Sequence, residues 1–104
     1  MKKRFWLWGS RQDMPTVAQR LMVGSGAHFV EHDSYYRGVY LRGRWPGIDD
    51  EVIVQSNLED DEGYFAEDEF REYVTLCYVT QELDAEPLPD LGEVGIDVLR
   101  VEEL

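Results

Sequence analysis

A helical repeat of apolar residues lies near the start of the chain. It runs at intervals of i, i+3, i+4, i+7 and i+8 through Met14, Val17, Ala18, Leu21 and Met22. This spacing predicts an amphipathic helix that packs on one side against a core. Asp13 is placed to cap the N-terminus and Pro15 is tolerated in the first turn. Gly24 is expected to end the helix.

Short apolar and aromatic runs predict strands around this helix. The predicted strands cover residues 5–8, 28–33, 39–42, 51–56, 74–80 and 96–101. Residues 34–38 form either a tight turn between two strands or a bulge within one long strand. Residues 66–73 are long enough for one or two helical turns.

The order of these elements up to residue 80, β, α, β, β, β, (short α), β, predicts an α+β fold. The chain of 104 residues is long enough for one domain, residues 1–104, and too short for two. We therefore expect an antiparallel or mixed sheet of about five strands with one main helix packed on one face. A ferredoxin-like variant is the specific arrangement that this order favours.

Charge divides the chain into a basic first part and a strongly acidic second part. Residues 1–44 hold eight Lys and Arg against three acidic residues, a net charge of +5. Residues 45–104 hold two against nineteen, a net charge of -17, and the whole chain carries -12. Such a field repels phosphate backbones and attracts basic proteins. We expect a basic protein partner and no direct nucleic-acid binding.

The densest acidic stretch, residues 59–69, is called the acidic linker below. Its seven carboxylates surround Gly63, Tyr64 and Phe65 without any basic residue among them. Because like charges repel, the linker is either a solvated surface or a docking site for something positive. The two aromatic residues either anchor the linker to the sheet or form the apolar centre of that site. The candidate partner-binding residues are Glu59, Asp60, Asp61, Glu62, Tyr64, Phe65, Glu67, Asp68 and Glu69.

Three features of the sequence bear on metal binding or on a reactive thiol. His28 and His32 are four residues apart, and on a strand that separation is about 13 Å, too far to share a metal. Alignment of the linker with a calcium loop puts Leu58 at the first ligand position, where an acidic residue is required. Cys77 lies in the middle of a predicted strand, so we expect a packed thiol. The sequence predicts no catalytic residue, no metal site and no cofactor.

The N-terminal residues lack the features of a signal peptide. The apolar run that follows the basic residues at positions 2–4 already stops at Gly9. No stretch reaches the about 20 apolar residues of a membrane span. A single cysteine does not require an oxidising compartment. We therefore expect a soluble, cytoplasmic protein that does not bind membranes.

Three stretches share a pattern with one class of small proteins. They are residues 34–40, residues 53–57 together with the acidic run that follows, and residues 69–79. Together they resemble small bacterial proteins of the immunity type, over about residues 28–80. Such proteins are encoded beside secreted or contact-delivered toxins. The resemblance implies a protein that neutralises a toxin by binding it, without catalysis.

These observations lead to a main hypothesis and its alternatives. The main hypothesis is a non-enzymatic acidic inhibitor, similar to immunity proteins, that neutralises a basic partner such as a toxin nuclease. A phage-type acidic inhibitor of a host defence nuclease would use the same residues. A small enzyme or ligand-binding domain is a different alternative, with His28 or His32 beside Asp33 and Tyr36 in a pocket between helix and sheet. A structural subunit would instead expose a wide apolar patch.

Overall fold

The regular structure consists of one α-helix and six β-strands in the computed structural model, which describes residues 2–34, 38–45, 52–57, 65–86 and 88–103. The helix is α1 (Met14–Ser25). The strands are β1 (Lys3–Ser10), β2 (His28–Ser34), β3 (Gly38–Arg44), β4 (Val52–Ser56), β5 (Thr75–Glu82) and β6 (Asp97–Glu103). Two 3-10 turns, Asp68–Phe70 and Gly92–Val94, precede and follow β5. Every predicted strand is present, and residues 66–73 contain only one of these short turns.

All six strands form one antiparallel sheet in the order β2-β3-β4-β5-β1-β6. The α+β class and the single main helix are therefore confirmed, and the sheet is antiparallel throughout. The sheet contains six strands where about five were expected, because all six predicted strands pair in it and Asp97–Glu103 forms one edge beside β1. The order does not confirm a ferredoxin-like variant. It also separates the ambiguous region into two strands, β2 and β3, whose connecting residues 35–37 lie outside the described residues.

The helix begins where the sequence predicts and ends two residues later. The Asp13 side chain accepts a hydrogen bond from the Thr16 N–H at 2.9 Å. Hydrogen bonds from the Thr16 side chain and backbone lower the pKa of the Asp13 carboxyl. The predicted stop at Gly24 is wrong, because the helix runs on to Ser25. Gly26 ends it instead, in a left-handed conformation with φ 75°, and its N–H donates to the Met22 carbonyl at 2.9 Å.

The core lies between α1 and one face of the sheet. Its fully buried members come from the helix and from the central strands: Trp8, Val17, Leu21, Val52, Val54, Cys77 and Val79. The Trp8 ring packs edge-on against Trp6 at 6.2 Å and against Trp45 at 5.6 Å between ring centroids. Burial raises the pKa of the Cys77 thiol, which agrees with the predicted packed thiol.

The face of the sheet that points away from α1 is buried in one half and exposed in the other. One row of paired residues crosses this face from edge to centre: Val30, Arg42, Ile53, Tyr78 and Leu7. Val30 at the β2 edge is 63% exposed, whereas Leu7 in β1 is 3% exposed. The sheet therefore has a covered half over β5 and β1, and an uncovered half over β2 and β3.

Candidate functional site

Asn57, the residue after β4, holds the end of the acidic linker against the sheet. Its side chain is fully buried, and its Nδ2 donates to the backbone oxygens of Phe70 at 2.9 Å and Tyr73 at 3.1 Å. It bonds Glu67 twice: Nδ2 lies 3.4 Å from the backbone oxygen, and the Glu67 N–H donates to Oδ1 at 2.8 Å. One side chain thus fixes residues 67–73, which we call the anchored segment.

Glu67 faces the sheet. Its Oε1 accepts a hydrogen bond from the Tyr78 hydroxyl at 3.0 Å and lies 3.4 Å from Nη2 of Arg100. The Glu67 side chain is only 20% exposed. Of the predicted partner-binding residues, this one makes its contacts within the fold, where its carboxylate accepts a hydrogen bond from a hydroxyl and lies beside Arg100.

The next acidic residues in the anchored segment face solvent. Asp68 and Glu69 are exposed in the 3-10 turn, and Glu72 is exposed shortly after it. Asp68 forms a surface ion pair with Arg71, whose Nε lies 2.8 Å from the carboxylate. The Arg71 guanidinium also lies over the half-buried Phe65 ring at 5.1 Å. The described end of the linker therefore presents carboxylates around one aromatic ring and one cation.

The remaining candidates lie outside the described residues. These are Glu59, Asp60, Asp61, Glu62 and Tyr64. The calcium-loop alignment around Leu58 and Gly63 also falls there. Among the residues that the structure describes, no group of three or more His, Cys, Asp and Glu side chains could hold a metal ion.

The two histidines lie on the sheet face that points away from α1. His28 and His32 line a shallow groove of about 440 Å³ on β2 and β3, together with Val30, Arg42, Gly43 and Arg44. The His32 ring stacks on Tyr40 at 5.6 Å with an interplanar angle of 21°. We call the side chains of His28, Val30, His32, Tyr40, Arg42 and Arg44 the open face.

The predicted constellation of a histidine with Asp33 is not assembled in a helix-sheet pocket. Successive residues of a strand point to opposite faces. Asp33 therefore lies on the α1 side of β2 while His32 lies on the other. Tyr36, the fourth member of that constellation, is outside the described residues.

Sequence reasoning missed two features of this site. Asn57 was interpreted only as the end of a strand, because nothing local indicates that its amide bonds residues that come ten to sixteen positions later. The open face had a detectable signal. A hairpin centred on residue 36 places His28 opposite Arg44 and Val30 opposite Arg42, which gathers the basic residues on one face.

Comparisons with protein-family models, curated proteins and solved structures find no match to this chain. The described helices include none that is long and apolar enough to cross a membrane.

Proposed function

We propose that this protein is a non-enzymatic inhibitor that binds a basic protein through the acidic linker, in the manner of a small immunity protein. The supporting observation is the contrast within the anchored segment. Asn57 and Glu67 fix its backbone to the sheet, while the neighbouring carboxylates of Asp68, Glu69 and Glu72 remain exposed.

A fixed backbone benefits binding because less conformational entropy is lost when the partner docks. Exposed carboxylates accelerate the encounter with a positive surface and make it sensitive to salt. Against a nuclease, they would occupy cationic positions that otherwise hold nucleic-acid phosphates. The Phe65 ring, half buried beneath Arg71, would supply apolar contact beside these charges. A phage-type inhibitor of a defence nuclease would use the same surface.

We also keep the ferredoxin-like variant as a proposal about the fold. In its favour, β1 and β2 are joined by a helix and run in the same direction with other strands inserted between them. A split β-α-β connection is one feature of the ferredoxin-like arrangement, and this likeness supports the proposal.

The test compares two variants that change the net charge equally. In the variant of the anchored segment, called the linker variant, Asp68→Asn, Glu69→Lys and Glu72→Lys are combined. In the control, Asp84→Asn, Glu86→Lys and Glu93→Lys are combined, all at exposed positions away from the linker. Each chain is immobilised and exposed to lysate of the producing cell at low and at high salt, and retained proteins are identified by mass spectrometry.

We expect a basic protein to be retained at low salt by the wild type and by the control, and to be lost from the linker variant. Its isolated activity should then be inhibited by stoichiometric wild-type chain. Equal loss in both variants would mean that only net charge matters. Equal retention in both would mean that the anchored carboxylates are a solvated surface, and either result would contradict the proposal.

A further inference from the structure

Among the described residues, no strand pairs with the outer edge of β2. β2 is the first strand in the sheet order, and within the described residues only β3 pairs with it. Such an edge presents backbone N–H and C=O groups to which another extended chain can be added. Val30, in the middle of β2, is 63% exposed on the open face.

The open face beside this edge is basic, in a chain that is strongly acidic. Among the described side chains on this face of β2 and β3, two are arginines, two are histidines and none is a carboxylate. The acidic residues of β2, Glu31 and Asp33, alternate to the opposite face. In the described part of the chain, this sheet edge thus combines a strand paired on one side only with a positive surface on one face.

We propose that the edge of β2 binds an extended acidic segment of another protein as an added strand. Residues of the added strand that face His28, Val30 and His32 are separated by two positions, since alternate residues share a face. The best complement is therefore acid-x-apolar-x-acid. Its carboxylates lie over the histidines and within reach of Arg42 and Arg44, and its apolar residue covers Val30.

A polypeptide fits this surface better than a nucleic acid does. Only a polypeptide can pair with the backbone of a strand edge. The positive area is limited to two strands, and a nucleic acid that extended beyond it would meet the field of a chain with net charge -12. This surface uses residues distinct from the acidic linker, so the inference does not depend on the proposed inhibitor function.

The test uses two fluorescein-labelled peptides of identical composition. The first contains Glu-Thr-Val-Thr-Glu, which places both carboxylates on the open face in either strand direction. The second contains Thr-Glu-Val-Glu-Thr, which places them on the α1 side. Binding to the full chain is measured by fluorescence anisotropy, and the contact site is located from the amide NMR shifts of residues 28–34.

We expect the first peptide to bind about tenfold more tightly than the second, because its two carboxylates lie on the same face as the arginines Arg42 and Arg44. The double variant His28→Gln and Arg44→Gln should lose about as much, with an unchanged melting temperature because both residues are exposed. Backbone N-methylation of alternate peptide residues should abolish binding in one of the two possible frames and leave it in the other.

Four results would overturn the proposal. The first is no binding of the first peptide at millimolar concentration. The second is equal binding of both peptides, which would indicate unspecific charge attraction. The third is tighter binding of an oligothymidylate of equal charge, which would indicate a nucleic-acid surface. The fourth is concentration-dependent sedimentation that Val30→Lys abolishes, which would identify a second copy of this chain as the occupant.

Discussion

Apolar residues on one face of the sheet are buried in its covered half and exposed in its uncovered half. In the covered half, Leu76 is completely buried, and the packing is so close that a Cβ added to Gly9 would lie 2.6 Å from Leu99 and 2.9 Å from Tyr73. In the uncovered half, Val30 on the same face is 63% exposed. The same strand alternation therefore produces a second small core at one end and a surface at the other.

The polar residues of the two halves also differ in burial and in their bonding partners. In the covered half, Asn57, Glu67 and Tyr78 bond within the molecule. In the uncovered half, His28 and Arg44 project into solvent. Polar groups that are satisfied inside a fold stabilise it and have little left for a partner, whereas exposed ones contribute little stability and can be used in binding. Residue type alone did not distinguish these roles.

The largest effect on stability is expected from Asn57→Ala in the covered half. This change removes the amide that fixes the anchored segment and leaves buried backbone groups unsatisfied. We expect the free energy of unfolding to fall by about 3 to 5 kcal/mol, measured by urea denaturation. Gln19→Ala, at an exposed helix position, serves as the matched control and should change it by less than about 0.5 kcal/mol. Similar values for the two would mean that the segment is not held by Asn57.

Truncation of one apolar side chain in each half measures how much each contributes to stability. Leu76→Ala should lower the free energy of unfolding by about 2 to 4 kcal/mol, because it opens a cavity at a completely buried position. Val30→Ala should cost less than about 1 kcal/mol, because that side chain is already largely in water. The midpoints of urea unfolding give both numbers if the slopes agree. A loss at Val30 as large as that at Leu76 would show that the open face is covered in solution.

The elements of this fold could be predicted because their signals are local. The helix was visible in a single apolar stripe, and the strands in short β-branched and aromatic runs. The end of α1 could not be fixed, since Gly24 and Gly26 offer equally good stops and only the backbone conformation selects Gly26. The pairing of the last strand with β1 was missed because sheet order depends on contacts between distant residues.

The candidate site could be predicted only in part, for a related reason. The acidic linker is a local feature of composition, and its exposed carboxylates Asp68 and Glu69 follow from that. Glu67 belongs to the same acidic run and yet faces inward. Its two partners, Tyr78 and Arg100, are 11 and 33 residues away in the chain. No spacing rule within the linker could have separated Glu67 from its neighbours.

A smaller effect on stability is expected from Cys77, which follows Leu76 in β5 and lies on the face beneath α1. Burial raises the pKa of this thiol, so the folded state keeps its proton at a pH where the unfolded state loses it. The stabilisation is therefore complete below the ordinary thiol pKa of about 8.5 and decreases as the pH rises above it, by about 1.4 kcal/mol for each pH unit. Urea denaturation of wild type and Cys77→Ala between pH 7 and pH 10 isolates this slope, since all other groups titrate alike in both. Parallel pH profiles would mean that the thiolate is solvated in the native state, and that the α1 face is as accessible as the open one.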